Sequence, residues 1–590
     1  MLKRMLVIGA LAAVGDFASG QTLLEEARGR VEDLRLGSYA TSHQVERMAT
    51  DGDFRAAVWE AVERLGITKL YLEVYRGGHT VPPEQLVGVR EWLTDRAIDV
   101  VGGIATVPGG DVGVRQTGPL GWFNWQNEKT QRDLERIIRT SAPLFDTFIV
   151  DDFLCTGDVS AESEQAKGER SWGQYRRELL TELAQSIFLG PAKQANPDIT
   201  MIVKFPQWHD RFHLFGYDTV TFPRLFDRVW VGTETRGRNT PRFGFVQPYE
   251  GFINYRWLAD IAGDKIGGAW FDHGDCAEHD FFDQAYMSVL AGAPELVFFN
   301  LGDVVAGHPD HAKIASRFAQ LADLAAFVRK HPVVGVPAYK PPNSDPAGDM
   351  YLMDFLGMLG IPLVPVHEFP SEAPVIFLPA QAAADPDLYG HVQKARARGA
   401  HLILTTNLLI AWPPGRELAA EIGVNPDFRS APTHAACGTE SESADVILES
   451  PIEVTPRPDD VVCLSEGRRL LLLRTAGNLS LLNTHTYDQA DFDAVGEVLL
   501  CPRPLGLLSL REPALRAFRT AFAGGRPPAF AGPASVTYHP FADAKPGDCV
   551  LQNFNDRAVE VSLMLPQDEV RRTFTIPARD RVWIASGEAR

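Results

Sequence analysis

The sequence predicts an α/β protein in which a (β/α)8 TIM barrel is followed by a second α/β domain and a C-terminal β-sandwich. Three observations lead to this fold class. Strand and helix patterns alternate eight times over about 300 residues, the usual size of such a barrel. His331-Pro332 marks a boundary before a new α/β series, and the region after Cys437 is rich in short strands. The expected domains are residues 21–330, 331–436 and 437–590.

The composition excludes several classes of protein. A hydrophobic content of 45% with 10% aromatic residues is typical of a folded globular chain. A net charge of −19 argues against a nucleic-acid partner, because phosphate binding needs a basic face. None of the six cysteines forms a CxxC pair, so we expect no zinc knuckle. The spacing of the cysteines does not reveal any disulfide pairing.

The first 20 residues have the pattern of a secretory signal peptide. Lys3 and Arg4 precede an apolar stretch, Met5 to Gly15, that is too short to span a bilayer. Small residues follow at 18–20, as cleavage requires. Because no later segment reaches eighteen apolar residues, we expect a periplasmic or secreted protein without a membrane anchor.

The barrel prediction rests on short apolar runs separated by segments of helical periodicity. In the segment 53–65, for example, apolar residues recur at helical spacing and Gly66 follows as a C-cap. The predicted strands are residues 34–40, 68–75, 99–107, 146–154, 199–205, 228–233, 266–272 and 295–300. The predicted helices are residues 53–65, 83–96, 128–141, 172–195, 223–227, 249–262, 281–291 and 312–329. A doubly wound open sheet of similar content is the alternative.

The remaining chain continues with a shorter α/β series and then with strands. The middle region predicts strands at 333–338, 361–365, 375–378 and 401–405, with helices at 349–359 and 387–398. The C-terminal region predicts strands at 470–473, 479–482, 535–539, 549–553, 558–565 and 581–585, with a helix at 513–522. Alternation of Val559, Val561 and Leu563 is typical of a half-buried antiparallel strand.

The end of the fourth predicted strand contains candidate catalytic residues. The fourth predicted strand ends in two adjacent carboxylates, Asp151 and Asp152. Active sites of such barrels are built at the C-terminal ends of their strands. Because successive residues of a strand face opposite sides, one carboxylate should point along the barrel axis and the other sideways. The sequence does not say which.

Other chemically active side chains follow other strands. The acids are Glu73, Glu234 and Asp272, and the basic or polar companions are Arg76, Lys204, His209, Arg236, His273 and Asn300. Each acid could instead form an ordinary ion pair or cap a loop. Acids at the same end of four strands are harder to explain by packing, since burying charges together is costly unless they are paired or functional.

Aromatic residues flank the same strand ends. Trp122 and Trp125 follow the third strand, Trp208 follows the fifth, and Trp270 precedes Asp272. Flat rings suit the apolar faces of sugars, and core or loop packing is the alternative for each of them. We expect these four tryptophans, with Glu73, Asp272 and the basic or polar companions, to bind a carbohydrate substrate.

The order of domains resembles that of certain bacterial β-galactosidases, in which a (β/α)8 glycoside hydrolase barrel precedes a glutamine-amidotransferase-like domain and a β-domain. The resemblance implies that the middle domain serves assembly, including a homo-oligomer, and not chemistry. Residues 331–436 contain no cysteine, so this domain has no glutaminase nucleophile. The catalytic motif differs from that family, which places Asn-Glu on strand four and Glu on strand seven. Asp151-Asp152 is more similar to the acid pair of hexosaminidases that use the substrate's acetamido group, and to α-galactosidase-like nucleophiles.

Two catalytic assignments follow for a glycosidase, neither of which needs a cofactor. In the first, Asp151 or Asp152 is the nucleophile and Glu234 the acid/base. In the second, Asp151 and Asp152 act as a pair, one polarising an acetamido group and one acting as the acid. The sequence reveals neither the sugar nor the linkage, and it leaves retention or inversion open.

Two other classes of function remain as alternatives. One is a metal-dependent barrel hydrolase, whose ligands would come from the side chains His209, His213, Asp272, His273, Asp275 and His279. Against it, the first strand carries no HxH. The other is a non-catalytic carbohydrate-binding protein that binds glycans without turnover.

Overall fold

The computed structural model describes most of the chain. The described residues are 22–118, 120–151, 153–237, 246–424, 435–439, 442–448, 455–465, 468–484, 503–545, 547–564, 571–585 and 588–589. The predicted signal peptide, residues 1–20, lies outside them. So does Asp152, one of the two carboxylates expected at the end of the fourth barrel strand.

Eight parallel strands form a closed barrel, with one short hairpin strand added to it. The strands are β1 Arg35–Ala40, β2 Lys69–Arg76, β3 His79–Thr80 (the hairpin strand), β4 Asp99–Ile104, β5 Thr147–Val150, β6 Thr200–Phe205, β7 Arg228–Gly232, β8 Ile266–Asp272 and β9 Glu295–Phe299. Strand β1 pairs in parallel with both β2 and β9, so the sheet has no open edge there. The predicted (β/α)8 barrel is confirmed, and the open-sheet alternative is wrong.

Helices connect the barrel strands. They are α1 Leu23–Gly29, α2 Ser42–Thr50, α3 Gly52–Leu65, α4 Pro83–Thr94, α5 Glu128–Ser141, α6 Ala161–Lys167, α7 Trp172–Leu183, α8 Gly190–Ala195, α9 Phe212–Phe215, α10 Phe222–Leu225, α11 Tyr249–Ala262, α12 Glu278–Ala291, α13 Leu301–Ala306, α14 Pro309–Ser316 and α15 Phe318–Lys330. The predicted single helix 312–329 is two helices. The Ser316 hydroxyl donates to the carbonyl of Lys313 at 2.9 Å where α14 ends. Such a side-chain bond competes with the helical backbone.

The barrel interior is filled by large side chains. The inner cluster consists of Tyr39, Tyr71, Val101, Ile149, Ile202, Trp230, Trp270 and Val297. Gly267 and Gly268 lie against the indole of Trp230, where added Cβ atoms would come within 2.2 and 2.3 Å of it. Below this layer Lys69 donates to Glu295 at 2.9 Å. The barrel is therefore packed through its centre, and a substrate can enter only at a mouth.

A nine-stranded sheet forms the middle of the chain. Its strands are β10 Val336–Tyr339, β11 Leu363–Val366, β12 Val375–Leu378, β13 His401–Thr405, β14 Ala435–Thr439, β15 Glu442–Leu448, β16 Val461–Ser465, β17 Arg468–Ala476 and β18 Leu479–Leu482, in the order β11-β10-β12-β13-β18-β17-β16-β14-β15. Its helices are α16 Leu352–Met358, α17 Leu388–Ala397, α18 Thr406–Ala411 and α19 Gly415–Glu421.

The division expected after residue 436 falls inside this sheet. The cause is β18, a four-residue strand that is fully buried and pairs in parallel with β13. It then pairs with β17 in antiparallel register, which brings the preceding strands into the same sheet. Strands β15 to β18, expected in the C-terminal domain, thus extend the middle sheet, and β14 spans the expected boundary.

The C-terminal region packs two small sheets over one core. The first sheet contains β19 Phe530–Ala531, β22 Val559–Met564 and β23 Arg571–Ile576, and the second contains β20 Val536–Pro540, β21 Cys549–Asn553, β24 Arg581–Ala585 and β25 Glu588–Ala589. Helix α20, Ala514–Phe522, precedes them. Val536, Leu551, Val561 and Ile576 share the core, so side chains of both sheets meet there. This arrangement confirms the predicted β-sandwich.

The sandwich also touches the barrel through a buried carboxylate. Asp283 on α12 accepts hydrogen bonds from Gln552 and Arg581, each at 2.8 Å. Burial raises the pKa of Asp283, and the guanidinium of Arg581 opposes that shift. Among the helices of the described chain, none is both long and apolar enough to cross a membrane.

Candidate active site

Glu73, near the end of β2, is fully buried at the mouth of the barrel and saturated with donors. Its carboxylate accepts from the Tyr39 hydroxyl at 2.9 Å and from the backbone N–H of Ser42 at 2.8 Å. Arg76 forms an ion pair with it at 2.8 Å. Burial and the Glu73 charge raise the pKa of Tyr39 well above its ordinary value, so Tyr39 remains a donor. Glu73 therefore positions Arg76 and Tyr39.

Asp151 continues this chain of charges at the end of β5. It is 2% exposed, and Arg76 donates to its Oδ2 at 3.4 Å. Lys204 Nζ, from β6, lies 3.8 Å from its Oδ1. A carboxylate between two cations is favoured in its charged form. The structure thus brings together the residues of strands two, four and five that the sequence predicted.

Lys204 links Asp151 to the other predicted catalytic acid. Its Nζ donates to Oε1 of Glu234 at 2.9 Å and lies 4.4 Å from the centre of the Trp270 ring. Because 2.9 and 3.8 Å separate the two carboxylate oxygens from one nitrogen, these oxygens lie within 6.7 Å of each other. Both acids and the lysine are almost fully buried. Water therefore screens their charges little.

The backbone after β7 fits closely around Glu234. A Cβ at Gly232 would lie 2.3 Å from Oε2 of Glu234, so only glycine leaves room for that carboxylate. Arg236 adopts a positive φ of 50° and forms two hydrogen bonds with Asp272, at 2.9 and 2.7 Å. Asp272 also accepts from the backbone N–H of Gly274. Asp272 is thereby an ion-pair partner that fixes the arginine.

Two of the predicted tryptophans form a platform at the rim. Trp122 and Trp208 stack with ring centres 5.7 Å apart, and Phe215 packs edge-on against Trp122. Trp208 keeps part of its surface exposed, whereas Trp122 is buried. Trp270 belongs to the inner cluster beneath Lys204.

The burial of Trp125 contradicts the prediction that it binds substrate. It is fully buried, and its indole N–H donates to the carbonyl of Cys155 at 2.8 Å. The ring leaves no face for a sugar, so the expectation of substrate binding is wrong for this residue. It is a core residue, the alternative that was stated for each tryptophan.

The position of His209 also contradicts the prediction that it binds substrate at the barrel mouth. Its ring is buried between Asp210, Lys340 and Asp354, the last two of which belong to the middle region. It does not face the barrel mouth, so it is not a substrate ligand there. Sequence reasoning missed this because the partners lie 131 and 145 residues further along the chain.

The metal-hydrolase ligand set is also not brought together. Among the described residues, one group of three ligand-bearing side chains comes within 4.8 Å, namely His209, Glu250 and Asp354. It includes His209 but none of the other five expected ligands. The described residues therefore give no support to the metal-hydrolase alternative.

His273 and Asn300 flank the site with different roles. The His273 ring lies 4.3 Å from that of His308, with Asp303 at 3.9 Å. Asn300 caps α13 by accepting from Gly302 N–H at 2.9 Å, and it also accepts from the Gln44 side chain at 2.7 Å. Asn300 is therefore mostly occupied in holding a loop.

Tyr39 is the site residue that sequence reasoning missed. It lies near the end of β1, just as the predicted acids lie at the ends of other strands. That position could have identified Tyr39 as a site residue from the sequence. Its hydroxyl donates a hydrogen bond to the carboxylate of Glu73.

Comparison with known proteins identifies related chains. Residues 21–323 match the family model described as "Probable glycosyl hydrolase, catalytic domain", and residues 331–420 match "Uncharacterized protein SSO3021, second domain". The Uncharacterized protein SSO3021 of Saccharolobus solfataricus is 23% identical over 347 residues, which cover 52% of this chain and 55% of that protein. The match thus spans about half the length of this relative.

Solved structures share the fold over nearly the whole chain. A β-galactosidase from Rahnella sp. R3 aligns with a TM-score of 0.61 and 11% identity, covering 93% of this chain and 98% of the other. The alpha-L-fucosidase isoenzyme 2 of Paenibacillus thiaminolyticus aligns with a TM-score of 0.60 and 12% identity, with the same coverage. This likeness confirms the architecture that the sequence resemblance implied.

Proposed function

The chain belongs to the family of probable glycosyl hydrolases, and on this premise we propose that it cleaves glycosidic bonds at the mouth of its barrel by a retaining mechanism with two carboxylates. The nucleophile is Asp151 or its neighbour Asp152, and the acid/base is Glu234. Arg76 and Lys204 hold the charges of the site, and the Trp122–Trp208 platform accepts the substrate.

The observation that carries the proposal is the shared contact with Lys204. The carboxylate oxygens of Asp151 and Glu234 that face its Nζ lie within 6.7 Å of each other. Carboxyl groups lie about 5–5.5 Å apart in retaining glycosidases and about 6.5–9.5 Å apart in inverting ones, which need room for a water. The upper bound of 6.7 Å includes the retaining separation and only the lower edge of the inverting range, which supports retention.

Lys204 can stabilise the negative charge in both steps, which are formation and hydrolysis of the glycosyl-enzyme intermediate. Before attack the nucleophile is ionised and Glu234 carries the proton that the leaving oxygen needs. After attack the nucleophile is an ester and Glu234 is ionised, ready to take a proton from water. One ammonium next to both groups balances a single negative charge that passes from one to the other.

The substrate-assisted assignment is the second mechanism for the same activity. In it Asp151 and Asp152 act together on a sugar with an acetamido group, and Glu234 is dispensable. The adjacency of the two acids supports it. The two mechanisms differ in which carboxylates are essential.

The test combines a substrate panel with three isosteric variants. The purified protein is assayed on 4-nitrophenyl glycosides, beginning with β-D-galactosides and α-L-fucosides because the structural relatives carry those names, and extending to N-acetylhexosaminides. Proton NMR of the first product on an active substrate reports retention or inversion. Asp151→Asn, Asp152→Asn and Glu234→Gln are then compared.

The results separate the mechanisms. Retention, with loss in Glu234→Gln and in one Asp variant, is the expected result. Retention on acetamido sugars alone, with Glu234→Gln active, selects the substrate-assisted pair. Near-wild-type turnover in all three variants rejects both mechanisms.

We also propose that the protein is exported, on the strength of residues 1–20. Fusion of residues 1–20 and of residues 1–40 to alkaline phosphatase, which is active only after export, tests this. Replacing both Lys3 and Arg4 by Glu should reduce the phosphatase activity of the fusions, and unchanged activity would count against the signal.

A further inference from the structure

A buried polar cluster joins the barrel to the middle sheet. His209 follows β6 of the barrel, and its Nε2 lies 3.3 Å from Oδ1 of Asp354 on α16. Its other nitrogen, Nδ1, lies 3.2 Å from Oδ1 of Asp210. All three side chains are fully buried. The imidazole thus has a carboxylate near each nitrogen, and Lys340 Nζ also lies 3.1 Å from Nδ1.

Glu250, in the first turn of α11, completes the cluster from a third direction. It is fully buried, and neither of its carboxylate oxygens has a hydrogen-bond partner within the described part of the chain. One of its oxygens lies within 4.8 Å of ligand atoms of both His209 and Asp354. A buried polar group without a partner is costly, so this carboxylate requires an explanation.

The charges of the cluster do not balance. Three buried carboxylates, Asp210, Glu250 and Asp354, meet one buried ammonium, Lys340, which pairs with Asp210. Burial, followed by the charges of Asp354 and Asp210, raises the pKa of Glu250 well above its ordinary value. Buried carboxylates in excess of buried cations require either a proton or a bound cation, because uncompensated buried charge costs several kcal/mol by order of magnitude.

We propose that His209, Glu250 and Asp354 bind a divalent transition-metal ion, Zn²⁺ in the first instance, which ties the barrel to the middle sheet. Imidazole nitrogen and carboxylate oxygen are both zinc ligands, whereas Mg²⁺ and Ca²⁺ favour oxygen alone. Atoms about 2.0–2.2 Å from a tetrahedral zinc lie about 3.3–3.6 Å apart, and the His209–Asp354 separation of 3.3 Å fits that range.

Asp210 supports this geometry from behind. A histidine that ligates a metal generally donates its other ring N–H to a carboxylate, which orients the ring. Asp210 lies 3.2 Å from Nδ1, next to the ammonium of Lys340 at 3.1 Å from the same nitrogen, so a metal on Nε2 requires the Nδ1–H tautomer that donates to Asp210. Asp210 is itself held by the backbone N–H of Tyr351 at 2.7 Å and by Gln381 at 3.0 Å. His209 comes from the loop after β6, Glu250 from α11 and Asp354 from α16, so the ion would join three separate elements.

The experiment measures metal content and the stability that the metal confers. The full chain is expressed in minimal medium supplemented with Zn²⁺, purified without a histidine tag, and analysed by inductively coupled plasma mass spectrometry. Part of each sample is unfolded with chelator and refolded with or without ZnCl₂, because a buried site exchanges slowly. Glu250→Gln and Asp354→Asn are the test variants. Asp260→Asn is the matched control, since it disrupts an exposed carboxylate–imidazole pair with His367.

The expected result is about one zinc per chain in the wild type and in Asp260→Asn, with at least a tenfold loss in Glu250→Gln and Asp354→Asn. Zinc should raise the thermal midpoint of the refolded wild type and leave that of Glu250→Gln unchanged. Failure of one variant to fold leaves the other and the wild-type zinc dependence as readouts. Absence of stoichiometric metal in the wild type, or metal retained in both variants, would overturn the proposal in favour of a protonated Glu250.

Discussion

Nζ of Lys204 lies 2.9 Å from Oε1 of Glu234, and both side chains are buried at the ends of neighbouring barrel strands. The same ammonium lies 3.8 Å from Asp151. This contact makes the two predicted catalytic acids one electrostatic unit, so a change at either should alter the behaviour of the other.

The first prediction separates catalysis from stability by two Glu-to-Gln changes in one barrel. Glu234→Gln should lower kcat/KM by about 10²–10⁴-fold, the usual contribution of a general acid/base. Glu295→Gln, at the opposite end of the barrel, removes the partner of Lys69 and should lower the thermal midpoint while leaving kcat/KM nearly unchanged. Steady-state kinetics and thermal unfolding of both variants measure this. Equal losses of activity would contradict the placement of the site.

The second prediction concerns the bridging ammonium. Lys204→Met removes the positive charge next to Asp151 and Glu234, so the acidic limb of the kcat/KM–pH profile should move to higher pH. The direction follows because carboxylates without a neighbouring cation hold their protons more tightly. Lys193→Met is the control, since Lys193 pairs with Asp227 near the surface. A Lys204→Met profile that is merely scaled down would leave Lys204 with only a structural role.

The third prediction tests the aromatic platform. Trp208→Ala should raise KM for a disaccharide or aryl glycoside several-fold and change kcat less, because stacking binds ground state and transition state alike. The matched control is Trp92→Ala, which removes one ring of the Trp59–Trp92 edge-on pair on the outer helices. If both variants change KM equally, the platform has no special part in binding.

The fourth prediction is a pH dependence of stability. Burial lowers the pKa of His539 to about 3, whereas an unfolded histidine titrates at about 6.5. As the pH falls from about 6.5 to 3, the unfolded chain binds a proton that the native chain does not, so His539 costs stability by up to ~1.4 kcal/mol per pH unit. The destabilisation caused by His539→Gln should therefore shrink by about 2 kcal/mol between pH 6.5 and 5.

Urea titrations of the wild type and His539→Gln at several pH values measure this difference. His43→Gln is the control, because His43 is exposed. Parallel pH dependence of the wild type and His539→Gln would show that the buried ring does not resist protonation. Parallel behaviour is instead the expected result for His43→Gln.

Local sequence pattern predicts most of the fold. Helices at 128–141 and 249–262 and strands at 266–272 and 375–378 have the predicted bounds, because a polar residue, a glycine or a proline bounds each of them. The partner of β18 could not be predicted, since a buried four-residue run carries no information about which strand it joins.

The candidate site was likewise predicted only where local sequence position determines it. Strand-end position placed Asp151, Lys204 and Glu234 together, as the structure does. The same reasoning misplaced His209 and Trp125, because the direction of their side chains depends on tertiary partners. Lys340 and Asp354 hold His209, and Cys155 holds Trp125 through its carbonyl.

The bond from Arg581 to Asp283 has a consequence for synthesis of the protein on the ribosome. Asp283 belongs to the barrel, yet its guanidinium partner lies 298 residues later. At about 5–20 residues per second, that interval corresponds to tens of seconds of translation. During this interval Asp283 lacks the cation with which it pairs in the folded chain. The barrel therefore reaches its final electrostatic state only when the last strands have emerged.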